Sequence, residues 1–260
     1  MNMTKSIKCC YSIDGKGPAV VLVHGVGARG QMWTRVVEVM RPDFTCITFD
    51  LRGHGDSPKP ELPITLDDLV ADLEALRNEI GIEKLSVFGH SLGGMVAPAY
   101  ARAFPDRTAA VGLISTAAFR SPEDGARVRG IAENIRAQGV EQLVDGFVSR
   151  WFTEGFLRDH PEKVEARKKQ VLATDPAVFV DVFRLYAETE MASWLGQVSA
   201  PALVLTREHD VNCSPRLNKQ MAAALPNAKL VILDGLKHGL VVEDPDRIAR
   251  EMQFFLENLR

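Results

Sequence analysis

Short runs of apolar and β-branched residues alternate along the chain with longer stretches whose apolar residues recur every three or four positions. The runs at 7–11, 19–23, 44–49, 85–88, 109–114, 202–205 and 229–233 have the length of strands, and several are apolar throughout. Continuous apolar runs mark strands covered on both faces. Their alternation with helical segments predicts βαβ units and a mostly parallel sheet. Leu66, Leu69, Val70, Leu73, Leu76 and Ile80 repeat at helical spacing, with Thr65 and Asp68 as an N-terminal cap and Gly81 as the stop.

The alternation ceases after Ser115. From 121 to 191 there is no strand signal, only helical stretches broken at Gly139, Gly155, Pro161 and Pro176. Residues 118–193 are therefore expected to form a helical cap inserted into an α/β core made of 1–117 and 194–260. The cap should lie over the C-terminal edge of the sheet, where open α/β folds place their sites.

Composition narrows the partners. The 260 residues are 46% hydrophobic and 25% charged, as suits one large α/β domain, and the net charge of -3 offers no basic surface for nucleic acid or anionic membrane. The densest basic group, Arg167-Lys168-Lys169, reads as a solvated helix face. A small molecule is the expected partner. The four cysteines match neither a disulfide framework nor a zinc spacing. Cys9 and Cys10 are expected on opposite faces of a strand, Cys46 in the core, and Cys213 as a small buried thiol. No secretory leader pattern and no apolar run of ~20 residues is present, so a cytoplasmic protein without a membrane partner is expected.

Candidate chemistry collects at the ends of the predicted strands. Gly89-His90-Ser91-Leu92-Gly93 follows one strand and opens a helical segment. A sharp strand-to-helix turn of this kind exposes a serine hydroxyl for nucleophilic attack. Asp210 and His238 each follow a later strand, and the order Ser91, Asp210, His238 suits a nucleophile, an orienting acid and a base. Glu208, His209 and Asp234 are the rivals nearby. His24-Gly25-Val26-Gly27 follows the strand at 19–23, and the backbone amides of Val26 and Leu92 are candidate donors to an oxyanion. His24 itself reads as a structural hydrogen-bonding residue. The stretch from Asp50 to Ser57 reads as a turn tied by local hydrogen bonds rather than as a metal site.

Together these segments resemble the α/β-hydrolase superfamily along nearly the whole chain. Within it, Arg150-Trp151-Phe152-Thr153, His160-Pro161, 172–176 and Glu208-His209-Asp210 resemble the 3-oxoadipate enol-lactonases. The resemblance implies a serine hydrolase that opens a small ester or enol-lactone by a Ser-His-Asp acyl-enzyme route, with no cofactor and no metal. An anionic lactone needs a cation for its carboxylate, and Arg150 beside Trp151, or Arg29, are the candidates. A carbon–carbon bond hydrolase of ring-cleavage products, a general carboxylesterase and a ligand-sensing protein on the same fold are the competing expectations.

Overall fold

The computed structural model describes residues 6–259 and arranges them around a seven-stranded sheet. The strands are β1 (Tyr11–Gly15), β2 (Ala19–Val23), β3 (Thr45–Phe49), β4 (Leu85–His90), β5 (Thr108–Ile114), β6 (Ala202–Arg207) and β7 (Ala228–Leu233). Their order is β1-β3-β2-β4-β5-β6-β7, and every neighbouring pair is parallel except β1 with β3. The helices are α1 (Thr34–Met40), α2 (Leu66–Glu79), α3 (Gly93–Ala103), α4 (Pro122–Gln138), α5 (Val140–Trp151), α6 (Glu154–Asp159), α7 (Pro161–Leu172), α8 (Pro176–Glu188), α9 (Pro215–Ala224), α10 (Leu240–Glu243) and α11 (Pro245–Glu257).

Both sheet faces are covered, which explains the unbroken apolar runs. Val21 and Val23 pack with Leu69 and Leu73 of α2 and Val96 of α3, whereas Val20 and Leu22 pack with Val36 of α1 and Met252 of α11. Strand period thus sends alternate residues into two separate cores. Helix α2 begins as predicted. The Thr65 hydroxyl accepts from the Asp68 amide at 3.2 Å, and Asp68 Oδ2 accepts from the Thr65 amide at 2.8 Å. Gly81, at φ +71°, ends the helix.

The first strand differs from expectation. Residues 7–10 form no strand, and β1 starts at Tyr11 as an antiparallel edge with four exposed positions of five. The preceding segment is instead fastened by side chains: Asp72 Oδ1 accepts from the Ile7 amide at 2.8 Å, and Ser57 Oγ from the Cys10 amide at 2.8 Å. Cys9 is still buried and Cys10 exposed.

Between β5 and β6 the chain runs through α4 to α8, with no strand among the described residues. Gly139, at φ +83°, separates α4 from α5, and Pro161 and Pro176 open α7 and α8 where a missing N–H costs nothing. Gly155 lies inside α6 and breaks nothing. These helices bury small clusters of their own, one around Val144, Phe147 and Phe179 and another around Val148, Phe152 and Phe156. Among the described residues no helix is long and apolar enough to cross a membrane.

Candidate active site

Strand order reverses direction at β2 and β4: β3 lies on one side of β2, while β4 and all later strands lie on the other. Loops leaving such neighbours part in opposite directions and open a crevice at their carboxyl ends. The loop after β2 carries Val26, and the turn after β4 carries Ser91. Both line a cavity of about 270 Å³, together with His90, Trp151, Arg167 and His238.

The turn at Ser91 is tight. Ser91 has φ +55°, a strained value for a residue with a side chain. Its amide donates to Ile114 O at 2.9 Å, which pins the turn to β5. A Cβ at Gly89 would collide with Gly93 backbone, and one at Gly93 with the Val23 carbonyl, so the turn closes only with hydrogen at both places. Leu92 occupies the N-cap position of α3, so the positive end of the helix dipole lies next to Ser91. Among the described residues, neither the Val26 nor the Leu92 amide donates to a protein acceptor.

His238 Nδ1 lies 3.1 Å from Asp210 Oδ2. The other carboxylate oxygen, Oδ1, accepts from the Asn212 and Cys213 amides at 3.0 Å each, which fixes the carboxylate plane. Among the described residues none of the rivals is hydrogen-bonded to His238, although His209 lines the same cavity. Glu208 and His209 are both exposed and face one another at 3.6 Å, and Asp234 pairs with Arg247 at 2.7 Å on the surface. His90 is buried with its Nε2 3.0 Å from the His238 carbonyl, so it braces the backbone that presents the His238 ring. Burial holds His238 neutral to well below its ordinary range, assisted by the Arg207 and Arg167 charges. Cys213 is buried with its Sγ 3.1 Å from the Tyr186 hydroxyl, and burial pushes its thiol up.

The loops of the crevice are locked by two buried imidazoles. His24 Nε2 accepts from the Leu51 amide at 2.9 Å, while Nδ1 donates to Gly25 O at 2.8 Å. His54 Nε2 accepts from the Gly27 amide at 3.1 Å, while Nδ1 donates to Arg52 O at 3.1 Å. Asp50 completes the bracing by accepting from the Gly30 and Asp56 amides, and Arg52 forms a buried fork on Asp72. Each imidazole accepts a backbone N–H and so cannot take a proton without losing that bond. Burial brings His54 down to about 4 from 6.5. The folded state then refuses a proton that the unfolded chain accepts below about pH 6.5, so stability is full above that pH and lost toward pH 4. The expected slope is roughly 1.4 kcal/mol per pH unit for each such histidine. Urea unfolding between pH 7 and 4.5 measures it. His54→Gln should flatten the slope, and an unchanged slope would show that His54 titrates as in water.

The predicted cations divide. Trp151 lines the cavity, and Arg150 lies at its exposed rim with its guanidinium 5.4 Å from the Phe147 ring centre. Arg29 faces Asp56 at 3.8 Å and lines a separate cleft beside β1 and α1. Two cations were missed. Arg167, expected on a solvated face, points inward over Trp151 at 4.9 Å and donates to Val26 O at 3.1 Å and to Gly27 O. Its position was legible in α7, since it stands three residues after buried Val164 and four before buried Val171. Arg207 is fully buried at the end of β6, beside both Asp210 and His238. A charge ending a strand buried on both faces must have a buried partner, and that was its signal.

Comparison with known proteins agrees with this architecture. Residues 20–251 match the family described as "Alpha/beta hydrolase family". The chain belongs to the alpha/beta hydrolase family. This hydrolase is 29% identical to 3-oxoadipate enol-lactonase 2 of Acinetobacter baylyi, over 74% of this chain and 72% of that protein. It superposes on a thermophilic esterase from Thermogutta terrifontis, solved with malate bound, with TM-score 0.88 and 30% identity, covering 97% and 94% of the two chains. The enol-lactonase from Burkholderia xenovorans LB400 superposes with TM-score 0.88 and 27% identity, covering 96% of each. The hydrolase is an enzyme of the carboxylic ester type, and its similarity to enol-lactonases extends through sequence and fold.

Proposed function

We propose that this hydrolase opens an enol-lactone or a related small anionic ester, with Ser91 as nucleophile, His238 as base and Asp210 as the carboxylate that orients it. The observation carrying this reading is the strained Ser91 turn facing one cavity with a His238 ring held 3.1 Å from Asp210. Ser91 Oγ adds to the ester carbonyl as His238 Nε2 takes its proton. The negative charge that forms on the carbonyl oxygen is held by the Val26 and Leu92 amides. Collapse breaks the acyl C–O bond, and the proton on His238 passes to the departing oxygen. In a lactone that oxygen stays attached through the acyl chain. Water, deprotonated by His238, then releases the acid and restores Ser91.

An anionic substrate is supported by Arg167. No acidic side chain among the described residues pairs with it, and only some of its five N–H donors are used on the Val26 and Gly27 carbonyls. A substrate carboxylate placed against Trp151 would complete the pairing. The enol-lactonase relatives and the malate-bound esterase support the same class. Arg150 would add a weaker rim charge. Residues 118–193 serve in this reading as the cap, and the free cysteines suit a reducing cytoplasm.

A matched pair of an anionic lactone and a neutral ester of similar size tests the reading. Arg167→Met should cost about 10- to 150-fold more kcat/KM on the anionic substrate than on the neutral one, the worth of one charge-assisted hydrogen bond. Any loss common to both reports the loop carbonyls that Arg167 braces. Arg150→Met should show the same preference more weakly. Equal losses on both substrates would remove the carboxylate clamp and leave an esterase without anion preference.

A further inference from the structure

Most serine hydrolysis needs only a carboxylate behind the imidazole, yet here a cation stands there as well. Arg207 Nη2 lies 3.1 Å from His238 Nδ1 and pairs with Asp210 Oδ2, the same oxygen that faces the imidazole. Its Nη1 donates to Ser115 Oγ at 2.9 Å, which anchors the guanidinium from β5. We infer that Arg207 is a positioning residue that offsets the charge of Asp210 and keeps His238 a weak, neutral base, so that the enzyme works at lower pH than a bare Ser-His-Asp set would allow.

A lone carboxylate beside an imidazole favours the imidazolium and raises its pKa, while an adjacent cation does the reverse. Arginine stays charged when buried, so the Asp210–Arg207 pair presents little net charge to the ring. His90 from β4 and Arg167 from α7 face it, and both oppose a positive charge on it or are neutral. Tyr186 and Cys213 face Arg207 as neutral groups, both held protonated by burial, and Glu243 acts on it from α10. Asp210 is thus the carboxylate that touches the ring, and Arg207 the cation that touches that carboxylate. Arg207 also constrains the proton: Nδ1 can donate to Asp210, but it cannot accept from Arg207 at the same time.

The inference rests on His238 being the base, and one pair of measurements separates the two claims. The pH dependence of kcat/KM on a neutral chromogenic ester is recorded for wild type, Arg207→Gln and Arg207→Lys. The His238 imidazole is titrated by NMR in the same proteins, its signal identified by its loss in His238→Gln. Glutamine keeps an N–H donor and removes the charge, so both the acid limb and the His238 midpoint should rise by about one pH unit or more. Lysine should return most of that shift. A uniform loss of activity with limb and midpoint unmoved would overturn the inference and leave the hydrolase reading intact. A midpoint that moves while the limb does not would remove His238 as base, and the inference with it. If neither variant folds, Ser115→Ala, which removes the anchor of Arg207 Nη1 and leaves Asp210 untouched, takes their place: limb and midpoint should rise together, and both unmoved would overturn the inference.

Discussion

Ser91→Ala is expected to abolish covalent labelling by an organophosphonate and to lower turnover by roughly 10³-fold or more, with the fold unchanged. The cost is large because alanine lacks the hydroxyl on which the proposed acyl-enzyme forms. Alanine tolerates φ +55° about as poorly as serine does, so the strain at the turn is the same in both proteins. The proposed oxyanion amides and the cavity walls survive, and residual catalysis above the water rate should remain from them alone. Labelling at full stoichiometry on a different serine would end the assignment of Ser91.

Asp210→Asn should cost up to about 10⁴-fold in turnover, whereas Glu208→Gln should be nearly silent. Asparagine can present its amide nitrogen to His238 Nδ1 and so favour the tautomer that cannot accept the Ser91 proton at Nε2. A second penalty is particular to this protein. Arg207 is fully buried and Asp210 is the carboxylate paired with it, so the amide leaves a buried cation uncompensated. A melting temperature below that of Ser91→Ala should accompany the loss of activity. Should Glu208→Gln be the more damaging variant, the orienting acid would be two residues earlier than assigned here.

The parts of the fold that were legible in the sequence are those dictated locally. The Ser91 turn is written in glycines whose absent Cβ atoms the backbone requires, and α2 is written in a Thr65–Asp68 cap made by its own first turn. Strands buried on both faces betray themselves as apolar runs. β1 does not, since an edge strand exposed along most of its length has no such run, and the apolar signal ahead of it belongs to Cys9 packing beneath a loop. Arg167 and Arg207 were missed for a related reason. A charged residue is ordinarily read as solvated, and only the buried neighbours at helical spacing, or the two-sided burial of β6, contradict that habit.

The pair of hydrogen bonds from Arg167 to the Val26 and Gly27 carbonyls joins α7 to the very loop through which Val26 lines the cavity. Helix α7 and that loop are therefore latched together. Lifting α7 breaks both bonds, each worth about 1.5–3 kcal/mol to a charged donor, and frees the loop to move with it. A substrate carboxylate that draws on the same guanidinium acts on the latch directly. Under the proposed carboxylate clamp, recognition of charge at one end of a substrate would be felt as order in the amide at the other, so an uncharged analogue should lose speed as well as grip.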